Sequence, residues 1–145
     1  FYDIKHNLSD DFAQQVSLEV LQENAEILSL HIPESKETSG MINEKFINQM
    51  QNPFWLINTA RGKAVNTEDL VIAIKSGKIL GAGLDVLEYE SSSFYSIFND
   101  NKENSSLTFL KNSKQVILTP HVGGLTLESH KKLSETILDK IGALG

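Results

Sequence analysis

The chain has 145 residues, the size of one ordinary domain, and a formal net charge of −6. A nucleic-acid surface needs a basic excess that this composition lacks. There is no cysteine, which excludes disulfides and cysteine-ligated metal and agrees with a reducing cytoplasm; no apolar run reaches the roughly 18 to 20 residues of a membrane span.

The opening "FYDIKHNL" reads as a strand already under way rather than as a leader. "SLEVLQENA" (17–25) sets Leu18, Leu21 and Ala25 at helical spacing. "ILSLHIP" (27–33) is a short run rich in branched residues and closed by proline, hence a strand. In "NEKFINQM" Asn43 caps a helix with Phe46, Ile47 and Met50 on its apolar side, and "NP" at 52–53 stops it. "FWLINT" (54–59) is a near-continuous apolar run, as in a strand covered on both faces. In "NTEDLVIAIKSG" Asn66 is an N-cap, Glu68 and Asp69 suit the positive end of a helix, and Gly77 sits just past its end. "ILGAGLDV" (79–86) and "QVILTP" (115–120) are two further strands, and a last helix runs from about Thr126 to Ile141. The polar stretch between Tyr89 and Lys114 reads as a long surface loop with one short helix around 94–98. Internal repeats and low-complexity tracts are absent.

Alternating helices and buried strands predict an α/β fold with a parallel sheet and helices on both faces. Such folds bind ligands at the carboxyl ends of their strands. Asp3, His31, Thr59 to Arg61, Asp85, Glu88 and His121 all fall at those ends.

Arg61 stands between an apolar strand and Gly62, where its planar fork would suit a carboxylate; a solvated loop arginine is the plain alternative. His121, before Val122-Gly123-Gly124, is suited to acid–base work near neutral pH or to a structural hydrogen bond. Glu88 could raise and orient such an imidazole, or be a surface acid. Asp85 lies in an apolar context and so needs a partner or a ligand. His31 suits a structural or cofactor-lining role, and His6 and His130 have no assigned role. No pairing of His and carboxylates at helical spacing suggests a metal site.

Together, "LHIPESKETSGMIN", "LINTARGKAVN", "GLDVLEYE" and "ILTPHVGGLT" resemble, in order, the D-2-hydroxyacid dehydrogenase family over nearly the whole chain. The long loop and the ending "LDKIGALG" resemble short bacterial D-3-phosphoglycerate dehydrogenases. The resemblance implies a Rossmann-type doubly wound parallel sheet, NAD as cofactor, and hydride transfer between nicotinamide and a D-2-hydroxy or 2-keto acid. It further implies a homodimer in the cytoplasm, with 3-phosphoglycerate and serine biosynthesis as the narrower expectation. Residues 1–125 would belong to the dinucleotide-binding domain, and 126–145 to a helix returning toward a substrate domain.

The family's roles fall on matching positions. Arg61 would bind the substrate carboxylate and neighbouring carbonyl oxygen. His121 would be the acid–base group and Glu88 its partner, with Glu90 the next candidate. Asp85 would hold the nicotinamide carboxamide and Asp3 the adenosine ribose. Ile32, Pro33, Thr38, Thr59, Ala60, Gly123 and Gly124 would line the cofactor. The family's G-x-G-x-x-G fingerprint precedes the segment matching Phe1 and does not occur in this sequence. The first strand, the phosphate-binding turn and the first helix are therefore expected to be missing, leaving the sheet incomplete at its N-terminal side. The segment alone is expected to be inactive.

Two rival readings stand beside this one. One is a non-catalytic dinucleotide-sensing or assembly module, which has no need of Arg61, Glu88 and His121 together. The other is a hydrolase built on a His–Glu pair, which lacks a G-x-S-x-G elbow or another evident nucleophile.

Overall fold

The computed structural model describes residues 1–89 and 105–143. Four strands, β1 (Ile27–Leu30), β2 (Phe54–Asn58), β3 (Ile79–Leu84) and β4 (Val116–Leu118), pair in sequence order, all parallel. Among the described residues five α-helices accompany them: α1 (Leu18–Asn24), α2 (Glu44–Gln49), α3 (Thr67–Lys75), α4 (Ser105–Asn112) and α5 (Leu127–Gly142). The α/β class and the parallel sheet are those expected from the sequence.

Local chemistry sets the helix starts. The side chains of Ser17, Asn43, Asn66 and Thr126 accept from Val20, Phe46, Asp69 and Ser129 N–H groups, filling donors that the first helical turn leaves unpaired. Past the end of α3, Gly77 adopts φ +78, a left-handed conformation that glycine takes without a Cβ clash.

The core lies between one face of the sheet and the helices. Leu28, Leu30, Phe54, Leu56 and Ile79 meet Phe46 and Ile47 of α2, Leu70, Val71 and Ile74 of α3, and Leu107 and Leu110 of α4. Each such side chain contributes about 1.5 to 3 kcal/mol when fully buried. The other face differs from expectation: "FWLINT" reads as covered on both sides, yet Trp55 and Ile57 are exposed, as are Ile27 and Ile117. The burial of β2 therefore alternates strictly, because among the described residues the packed helices cover one face only.

Two further expectations are corrected. Phe1–Asp3 forms no strand. Instead Phe1 bonds Gln14 and Val16, and no neighbouring strand among the described residues offers the segment a ladder. Within the stretch read as loop, Ser105–Asn112 is helical. Its serines and asparagines obscure a pattern in which Leu107 and Leu110, one turn apart, pack on α3, and Lys75 lies 4.8 Å from the Phe109 ring centre. The short helix expected around 94–98 lies outside the described residues.

Candidate active site

The strand ends that the sequence marked are turns closed by side chains. At the end of β2, Asn58 is 1% exposed and uses both ends of its amide. Its Oδ1 accepts from Ala60 N (3.1 Å) and its Nδ2 donates to the Arg61 carbonyl (3.0 Å), reversing the chain within three residues. The Arg61 carbonyl also accepts from Ala64 N (3.2 Å) in the 3₁₀ turn Gly62–Ala64. Arg61 itself is exposed, and its Nη1 donates to the Ala60 carbonyl (2.6 Å). Gly62 is required by proximity: a Cβ there would overlap the Leu87 carbonyl and come within 2.9 Å of Glu88 N. The arginine turn is thus packed directly on the chain leaving β3.

That exit carries Asp85, 4% exposed. Its Oδ1 accepts from Thr119 Oγ1 (2.5 Å) and Val122 N (2.8 Å), and its Oδ2 accepts from Gly123 N (2.8 Å). Its own N–H donates to the Asn58 carbonyl (2.9 Å). Burial works to raise its pKa. The Thr119 hydroxyl, the Gly123 and Val122 amides and the charge of His121 outweigh that effect and hold the carboxyl below its ordinary range. His121 is exposed with φ +55, and its N–H donates to the Thr119 carbonyl (3.0 Å).

Glu88 has a job that the sequence did not suggest. Its Oε2 accepts from Thr67 N (2.8 Å) at the start of α3, where the helix dipole favours a negative charge. Glu90 lies outside the described residues.

The other expected positions divide into those joined to this edge and one whose visible bond is elsewhere. The 33–38 turn is tied by Thr38 Oγ1 donating to the Pro33 carbonyl (2.7 Å), and Ile32 packs against the core. Glu34 pairs with Lys63 (2.7 Å), linking that turn to the arginine turn. Hydrogen bonding and charge from Lys63, with a smaller effect from Arg61, lower the Glu34 pKa. A Cβ on Gly123 would lie 3.8 Å from the Thr59 side chain, so Thr59, Asp85 and Gly123 are neighbours. His31 Nε2 and Ser29 Oγ are 2.9 Å apart on β1 and its exit. The Asp3 carboxylate accepts from Lys5 N (2.8 Å), within its own exposed segment.

Asn58 and Thr119 were not among the candidates. A polar amide ending an apolar strand was the available signal for Asn58, because it must find partners for a donor and an acceptor once buried. Thr119 carried no local signal, since its partner is 34 residues away.

The edge can meet an anion at Arg61, move a proton at His121, and admit a flat ring close to backbone at Gly124, where a Cβ would find open space. Those features fit the nicotinamide end of a dinucleotide. The hollow of about 140 Å³ between α2 and α3 includes none of these residues. Among the described residues no cluster of His and carboxylates could hold a metal, and no helix is long and apolar enough to cross a membrane.

Comparison with known proteins identifies the family and the fold. Residues 1–123 match the family model for the NAD-binding domain of D-isomer-specific 2-hydroxyacid dehydrogenases. A glyoxylate reductase of Thermofilum pendens is 41% identical, over 81% of this chain and 31% of its own length. A D-3-phosphoglycerate dehydrogenase of Haemophilus influenzae is 37% identical, over 97% of this chain and 32% of its own. The crystal structure of a Lactobacillus jensenii D-lactate dehydrogenase with NAD+ superposes with TM-score 0.82 at 34% identity, covering 99% of this chain and 44% of that one. The chain thus spans about a third of the length of these curated relatives. The Rossmann-type fold read from the sequence is borne out by that likeness.

Proposed function

This chain belongs to the D-isomer-specific 2-hydroxyacid dehydrogenase family as its NAD-binding domain, and on that premise we propose that the whole protein interconverts a D-2-hydroxy acid and its 2-keto acid. The observation that carries the reading is the convergence of the Arg61 and His121 turns on the chain leaving β3, one through Gly62 and the other through Asp85.

Bound nicotinamide supplies or accepts the hydride. Arg61 holds the substrate carboxylate through its planar fork and steadies the charge that builds on the neighbouring oxygen. His121 delivers a proton to that oxygen during reduction and removes one during oxidation. A carboxylate tunes the imidazole: Glu88 by family position, with Glu90 the competitor because the Glu88 carboxylate already serves Thr67. Asp85 and the residues Ile32, Pro33, Thr38, Thr59, Ala60, Gly123 and Gly124 would face the cofactor. Asp3 would take the ribose diol and disfavour a 2′-phosphate, giving NAD preference over NADP. We take α5, which begins after the family match ends, to return toward a substrate domain, and we take the whole protein to be a cytoplasmic homodimer.

3-Phosphoglycerate is the narrower substrate proposal. The relatives include a glyoxylate reductase and a D-lactate dehydrogenase as well as a D-3-phosphoglycerate dehydrogenase. Steady-state turnover of the whole protein with 3-phosphoglycerate, D-lactate and glyoxylate, each with the NAD and NADP forms, separates them. The expected result is NAD-linked turnover with one acid favoured. Tight NAD binding without turnover of any 2-hydroxy or 2-keto acid would transfer support to the non-catalytic sensing module.

A further inference from the structure

We propose that Asp85 and Thr119 are a positioning pair that holds the backbone of His121 in its left-handed conformation. This goes beyond any contact of Asp85 with cofactor, and it rests on the reading of His121 as the acid–base group.

A non-glycine residue at φ +55 is strained by roughly 1 to 2 kcal/mol and persists only where its surroundings impose it. Here they do so from both sides of the residue. Thr119, two residues before His121, donates its hydroxyl to Asp85 Oδ1; Val122 and Gly123, the two residues after it, donate their amides to Oδ1 and Oδ2. One carboxylate therefore grips both flanks of a five-residue turn. The grip is anchored from behind, because Asp85 N–H donates to the Asn58 carbonyl of β2. Gly123 makes it possible: a Cβ at that position would lie 2.9 Å from Asp85 Oδ2. A buried carboxylate without such donors would be costly, so the turn and the acid stabilise each other.

The test uses the whole protein and three variants. Thr119→Val removes the hydroxyl at nearly constant shape, Thr119→Ser restores it, and Gly123→Ala crowds the carboxylate independently. Two quantities are read: kcat against the KM for NAD, and the amide proton resonances of Val122 and Gly123. Thr119→Val and Gly123→Ala are expected to lower kcat on the order of tenfold or more. They should shift both amide resonances, and Thr119→Ser should recover both readouts. Unchanged resonances in Thr119→Val would overturn the pair. So would a rise in the KM for NAD with kcat intact, which would leave Asp85 a cofactor contact only. A parallel His121→Ala variant that keeps its activity would remove the acid–base reading, while the resonances still decide whether the pair holds the turn.

Discussion

The two turns of this site are closed by different chemistry. Asn58 closes the arginine turn with a neutral amide whose partners lie two and three residues away. Asp85 closes the histidine turn with a carboxylate whose partners lie 34 to 38 residues away. The first turn can form as soon as β2 ends. The second exists only once β3 and β4 are side by side. An amide does not titrate, so the Asn58 closure is itself insensitive to acid, whereas the histidine turn depends on a charge.

The largest effect that separates the turns is catalytic. In the whole protein His121→Ala is expected to lower kcat by about 10² to 10⁴-fold, the usual worth of a positioned acid–base group, while NAD binding by calorimetry stays close to wild type. Turnover within threefold of wild type would remove His121 from the chemistry. Arg61→Lys comes next, at about 10²-fold in kcat/KM, because a point charge does not reproduce the bidentate fork. Its loss should fall on the keto acid, not on NAD, and steady-state kinetics with each substrate varied will tell.

Stability then probes the closures themselves. Asn58→Ala leaves Ala60 N and the Arg61 carbonyl without their side-chain partner, and about 1 to 3 kcal/mol should be lost at every pH. Asp85→Asn should behave differently. The folded pKa of Asp85 is depressed, so its charge contributes stability in full above the unfolded value of about 3.9. That contribution is lost as pH falls through the lower folded value. Urea unfolding of wild type and both variants from pH 7 to 3 should show a constant deficit for Asn58→Ala and a shrinking one for Asp85→Asn. Parallel curves would contradict the difference between the turns.

The smallest effect concerns Glu88. As a cap on α3 its charge is worth about 0.3 to 1 kcal/mol, to be read as a small drop in the unfolding midpoint of Glu88→Gln. If Glu88 also faces His121, Glu88→Gln should in addition move the pH limbs of oxidation and reduction together. A midpoint drop with stationary limbs would leave Glu88 a helix cap and turn attention to Glu90.

These contrasts explain what could be read before the fold was known. Helix starts and the arginine turn depend on residues within three positions, so Asn43, Asn66 and Arg61 stood out. Strand ends came out long by one to three residues, since an apolar run continues past the last ladder bond; Ile32 packs on the core after β1 has ended. What stayed hidden was long-range. Nothing near Thr119 points to Asp85, and nothing near Glu88 points to Thr67. The helix α4 was hidden for the same reason, because its two buried leucines matter only against α3.

The uncovered sheet face has a practical consequence. Trp55, the single tryptophan of the chain, lies on that face half exposed, its ring over Gly81, where a Cβ would come within 2.5 Å of it. Indole emission shifts to the blue when water is withdrawn from the ring. This chain therefore carries an intrinsic optical probe on the sheet face that is exposed among the described residues. Any layer laid over β2 should shift the emission of Trp55 to the blue.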